Sequence, residues 1–106
     1  MNAPTRLKIL HLDFAVEWID AKHAAIDSNF GFTHTDHLVV SVCKDEPAER
    51  QVEIMMHELA HVIWWLWNLG KKSKEEEIVT AIGRGYASIF RDNPDLVAWL
   101  GEVGAG

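Results

Sequence analysis

Between Ile54 and Leu69 the chain carries a single charged side chain, Glu58. Read as a helix, this segment is apolar on nearly every side. Met55, Leu59, Val62 and Leu66 form one face, and His57, His61, Trp64, Trp65 and Asn68 line the opposite one. A helix of that kind must be covered on most sides, so it takes the central place in whatever domain forms around it. Its ends are marked: Asp45-Glu46-Pro47 places acids and a proline at the positive end. The helix is expected to run to Asn68 or Leu69, with Gly70 as the left-handed residue just beyond it.

The rest of the chain divides into two styles. Residues 1–46 mix β-branched, aromatic and turn residues, whereas 47–101 read as helices. Leu7-Lys8-Ile9-Leu10 alternates weakly as a first strand. The stretch from Asp13 to Ile26 fits both periods, and a strand over 14–19 followed by a short helix or loop is expected. Ser28-Asn29-Phe30-Gly31 is a turn signal. His37 to Cys43 is the clearest strand, rich in bulky β-branched residues. Ser73-Lys74-Glu75-Glu76 has the form of a capping box and opens a helix that reaches about Arg91. Its expected apolar stripe is Val79, Ile82, Tyr86 and Ile89. Asn93-Pro94 then caps a last short helix to Leu100. The expected fold class is α+β, a short β-sheet packed on the central helix, with a second long helix and a short C-terminal one.

Length and charge narrow the function. The 106 residues suffice for one small domain, 1–106, and not for two. A formal net charge of −6 argues against a nucleic-acid backbone as the main partner, because phosphate binding needs a basic surface. Cys43 is the only cysteine, so no intramolecular disulfide forms. The longest apolar stretch, Val62 to Trp67, is far too short to span a bilayer. The N-terminal residues show no long apolar core of a signal peptide. A cytoplasmic protein without membrane partners is expected.

His57-Glu58-Leu59-Ala60-His61 is the pattern that carries chemistry. Residues i and i+4 lie one above the other on a helix, so both imidazoles can reach one zinc ion. Glu58 stands about a hundred degrees round the same turn, beside the metal, where a general base for a metal-bound water belongs. A His-Glu-His set inside an apolar helix is costly unless something satisfies it. The bland alternative is two surface histidines with an ordinary Glu between them. Trp64, Trp65 and Trp67 read first as packing; the sharper reading makes Trp64 or Trp65 a wall of a cleft beside the metal.

A third ligand downstream of His61 must be acidic, because no histidine follows it. Three acids, Glu75, Glu76 and Glu77, open the next helix. Glu75 falls on the expected apolar stripe and Glu77 on the wet side. Glu76 has Thr80 one turn later, able to hydrogen-bond a ligating histidine. Against both stands the capping box, in which Glu76 returns to the Ser73 amide. Glu76 is taken as the third ligand, with Glu75 as the alternative. A tight helical hairpin would hold His61 and Glu76 apart unless the helices cross steeply.

His57 to His61, followed by an acidic start to a second helix, resembles the gluzincin arrangement of zinc metallopeptidases. A strand such as Leu38 to Val42 just upstream resembles the small minigluzincin and ImmA/IrrE-like proteases. With Glu75-Glu76-Glu77-Ile78-Val79-Thr80-Ala81 and Phe90-Arg91-Asp92-Asn93-Pro94, the region 36–100 is similar to small phage or prophage metallopeptidase-like proteins. The resemblance implies a zincin-like domain holding Zn2+ and hydrolysing peptide bonds in the cytoplasm of a bacterial host. It implies an edge strand, Leu38 to Val42, that takes an extended peptide by strand addition. Zinc on His57, His61 and Glu76 would lower the pKa of a bound water, and Glu58 would accept its proton. Tyr86, His34 and His37 are the available oxyanion donors, each also readable as a core or surface residue. The competing function is a non-enzymatic, zinc-stabilised module that binds a protein partner.

The remaining features read as structural. Gly83 and Gly85 inside a helix imply close packing against a bulky neighbour, one of the tryptophans being a candidate. Cys43 reads as a small buried strand residue, and His11 and His23 as surface residues.

Overall fold

A computed structural model of the chain describes residues 3–22 and 31–105. Leu7, Ile9, Phe14, Val16, Val40 and Val42 are all buried and share one face of a four-stranded sheet. Strand β1 (Arg6–Ile9) turns through Leu10-His11 into β2 (Leu12–Ile19), with Lys8 opposite Asp13. Leu10 takes the positive φ, 56°, that so tight a hairpin requires. Strand β3 (Gly31–His34) follows, then β4 (Val39–Cys43). The order is β1-β2-β4-β3, with β4 parallel to β2 and antiparallel to β3.

This order corrects one expectation: the strand at Leu38 to Val42 is interior, and the edge next to it is β3. It also starts later than His37, because Leu38 has φ 54° and belongs to the turn before Val39. The turn read at 28–31 lies outside the described residues except for Gly31, which opens β3. His23 lies outside them too.

Helix α1 (Ala48–Leu66) lies on the buried face of the sheet against β3 and β4, with Ile54, Met55, Leu59, Val62 and Ile63 in the core. It is the central helix, as its apolar girth requires. It ends at Leu66, earlier than expected, in a Schellman turn. Asn68 carries φ 54°, its N–H bonds the Trp65 carbonyl at 3.2 Å, and the Leu69 N–H bonds that of Trp64 at 2.9 Å. Asn68 therefore takes the part assigned to Gly70, whose N–H is instead accepted by Ser73 Oγ at 2.8 Å.

Helix α2 (Glu75–Asp92) packs on α1 and β1. Its cap is shifted by one residue from the expected box. Lys74 is the N-cap, and its N–H is accepted by Glu77, not by Glu76, at 3.4 Å. Its buried residues are Ala81, Gly85, Ser88 and Ile89, while Val79 and Ile82 are 55% and 43% exposed. The expected stripe is therefore wrong in its first half. Small residues bring the helices together: a Cβ on Gly85 would stand 2.6 Å from Ile63 Cγ1, so glycine is what lets α2 close on α1. The tight neighbour is an isoleucine rather than a tryptophan, and Gly83 faces open space.

Helix α3 (Pro94–Ala105) runs past Leu100 and completes the core with Leu96 and Trp99. Trp99 meets Trp18 of β2 edge to face, centroids 5.5 Å apart. Asn93 starts α3 through its carbonyl, but its side chain leaves the helix. The amide accepts from Lys8 N–H at 2.7 Å and donates to the Lys8 and Ile89 carbonyls at 2.6 and 2.8 Å. A side chain thus does for Lys8 what a neighbouring strand would do, and the β1 edge is closed at that point. Among the described residues no helix is long and apolar enough to cross a membrane.

Candidate metal centre

His57 and His61 stand one turn apart on an exposed part of α1, their rings 4.8 Å apart at 80°. Their Nε2 atoms are 3.2 Å apart. Zinc–nitrogen bonds of about 2.0–2.1 Å at a tetrahedral angle put two nitrogens about 3.3 Å apart. The separation of the pair therefore matches that of two nitrogens on one metal ion. Without metal the same distance suits a hydrogen bond between two neutral imidazoles.

Glu58 reaches toward β3 at the floor of the same site and is only 6% exposed. Its Oε1 accepts a 2.7 Å hydrogen bond from the Thr33 hydroxyl of β3. Its Oε2 lies near Gly31, where a Cβ would come within 2.9 Å of it and closer still to Ile54 Cγ2. Thr33 and Gly31 are two apart on a strand and share a face, so one edge strand bonds one oxygen of the carboxylate and leaves room for the other. The sequence reading missed both residues. The 31–34 segment is only four residues long and opens on glycine, and Thr33 stands 25 positions from its partner.

The three motif residues open into a cleft of about 390 Å3 between α1 and β3, walled by Phe32, Thr35 and Trp65. Trp64 lines a second hollow beside the same histidines, with Ala60. Both indoles are about two-fifths exposed, at 41% and 42%. They are cleft walls rather than core, whereas Trp67 packs partly buried against the core.

The expected third ligands lie elsewhere. Helices α1 and α2 touch at Ile63 and Gly85. At 1.5 Å per residue, Glu76 is about 13 Å along α2 from that contact, and His61 only about 3 Å along α1. Glu76 lines a separate hollow with Trp67, Leu69 and Thr80. Glu75 precedes it on the same exposed turn, and its core-facing position falls with the corrected stripe. Among the described residues no three His, Cys, Asp or Glu side chains are grouped to hold a metal ion. The histidine pair fits zinc; the acidic turn of α2 is not beside it.

The oxyanion candidates are also accounted for. The Tyr86 hydroxyl donates to the Met56 carbonyl at 2.6 Å, and burial raises its pKa above the ordinary tyrosine value, so its proton is committed to α1. His34 stacks on Phe32 at 4.2 Å, and His37 lies 3.5 Å from Asp36 in an exposed turn. Comparison with known protein families, curated proteins and solved structures finds no match to this chain.

Proposed function

We propose that this chain is a zinc-dependent peptidase of the zincin type, gluzincin-like in its HExxH helix, acting on an extended peptide at the α1–β3 cleft. The observation that carries the reading is the 3.2 Å separation of the His57 and His61 nitrogens with the Glu58 carboxylate in the same cleft. His57 and His61 would hold the ion, and Glu76, with Glu75 as the alternative, is the third ligand that the sequence suggests, although Glu76 lines a separate hollow. Zinc, when bound, supplies a polarised water and a Lewis acid for the scissile carbonyl. Glu58 takes the proton of the attacking water and passes it to the leaving amine. Edge strand β3 runs beside the cleft, while the opposite edge is closed by Asn93 at Lys8. An extended peptide adding to β3 would place a backbone carbonyl near Glu58.

Zinc content of wild type, His61→Ala and Glu76→Ala, followed by cleavage of a peptide pool by wild type and Glu58→Gln, tests this. The expected result is one zinc per chain, lost in His61→Ala, and cleavage lost in Glu58→Gln with zinc retained. Zinc bound with no cleavage by wild type would favour the second reading, a zinc-stabilised interaction module. No zinc at all would end both.

A further inference from the structure

We propose that Thr33 and Gly31 of β3 form the seat that positions Glu58 for catalysis, so that the strand receiving the substrate also holds the base. This rests on the peptidase reading and deepens it. A glutamate on a helix has three rotatable side-chain bonds, and a base that samples many rotamers is in the reacting geometry only part of the time. Here the rotamers are restricted from the facing strand. Thr33 Oγ1 donates to Oε1 at 2.7 Å, and the missing side chain of Gly31 leaves the space that Ile54 Cγ2 and the Glu58 side chain share. Gly31 is required for room rather than for backbone conformation, since no described glycine has a positive φ.

The geometry of a strand allows the double duty. Side chains stand perpendicular to the sheet, and backbone N–H and C=O groups lie in its plane. Thr33 can therefore hold Glu58 on the helix side while the outer backbone edge of β3 pairs with a peptide. Substrate and base are then registered to the same four residues, 31–34, and a shift of the strand moves both together. Thr33 touches no reacting atom in this scheme; it is a positioning residue that acts through Glu58.

The test compares wild type, Thr33→Val and Thr33→Ser. Valine keeps the shape and removes the donor; serine keeps the donor. On the best-cleaved peptide of a pool, Thr33→Val is expected to keep KM within about two-fold and lose roughly ten-fold or more in kcat, with zinc content unchanged. Thr33→Ser is expected to recover most of that loss. Independently of activity, metal-free Thr33→Val is expected to melt lower than wild type, and to cause a smaller drop in a Glu58→Ala background, where only the 3.3 Å contact of the hydroxyl with the residue 58 main-chain carbonyl remains. An active wild type with an equally active Thr33→Val, a serine variant as poor as the valine one, or an undiminished melting shift in the Glu58→Ala background overturns the proposal alone. A wild type that binds zinc but cleaves nothing overturns the peptidase reading, and the positioning role with it.

Discussion

The hydroxyl of Tyr86 on α2 donates a 2.6 Å hydrogen bond to the main-chain carbonyl of Met56, the residue before His57. It pins α2 to the turn of α1 that presents the motif. The Met56 carbonyl keeps its helical partner, so Tyr86→Phe removes one bond and orphans no acceptor. The expected cost is about 1 kcal/mol, a fall in Tm of about 4–5 °C for a domain of this size. Burial raises the Tyr86 pKa, so the folded state favours the neutral phenol. That contribution is fully present below the ordinary value of 10.0 and is lost as pH rises through the higher folded value. The Tm gap between wild type and Tyr86→Phe should stay constant up to about pH 9 and close above it. A gap that widens in alkali would show that the phenol is not the donor.

Asn93 bridges the end of α2 to both backbone groups of Lys8, and no other residue type offers a donor and an acceptor in that shape. Asn93→Ala is expected to lose about 2–3 kcal/mol, from three bonds partly replaced by water. Asn93→Asp should be no better, because its carboxylate would face the Lys8 and Ile89 carbonyls with no proton to give. Amide exchange at Lys8 checks the mechanism: protection should fall in both variants more than at Leu7, which faces the core.

What the sequence made legible was local. The HExxH helix shows itself through i,i+4 spacing and an uncharged flank, and β4 through consecutive β-branched residues. Strand β3 was hidden because Gly31-Phe32-Thr33-His34 becomes a strand only by pairing with β4. The α2 register was misread for a related reason. Periodicity weighs Val79 and Ile82 as core, yet the buried face carries Ala81, Gly85 and Ser88, whose smallness leaves no mark on a hydrophobic pattern. The seat of Glu58 and the position of Glu76 both depend on where separate elements meet, and no residue spacing encodes that.

The two glycines of α2 should respond oppositely to the same change. At Gly85 an added methyl would come within 3 Å of three Ile63 side-chain carbons, and two of these leave from its Cβ, where little adjustment is open. Gly85→Ala is expected to cost about 1–3 kcal/mol through overpacking. Gly83 has nothing within 4 Å of the same methyl and sits in mid-helix, so Gly83→Ala is expected to gain about 0.5–1 kcal/mol. Denaturant midpoints at an unchanged m-value would read both. A neutral Gly85→Ala would mean that the contact between α2 and Ile63 of α1 can relax to take the added methyl.

Cys43 ends β4 with 1% of its surface exposed. It is a free thiol, so it reports when that end of the sheet opens. The following residue is tied down, since Lys44 N–H bonds the Ile19 carbonyl at 2.8 Å. A thiol reagent must then wait for unfolding or a local opening before it can react. Native protein is expected to label roughly a thousand-fold more slowly than protein in concentrated guanidinium. If opening is global, Asn93→Ala should speed labelling by the factor its stability loss predicts, about ten-fold for each 1.4 kcal/mol. If labelling ignores that mutation, the β4 end opens independently of the β1 edge. The sheet would then have a stable side at Asn93 and a looser end where Cys43 pairs with Ile19 of β2.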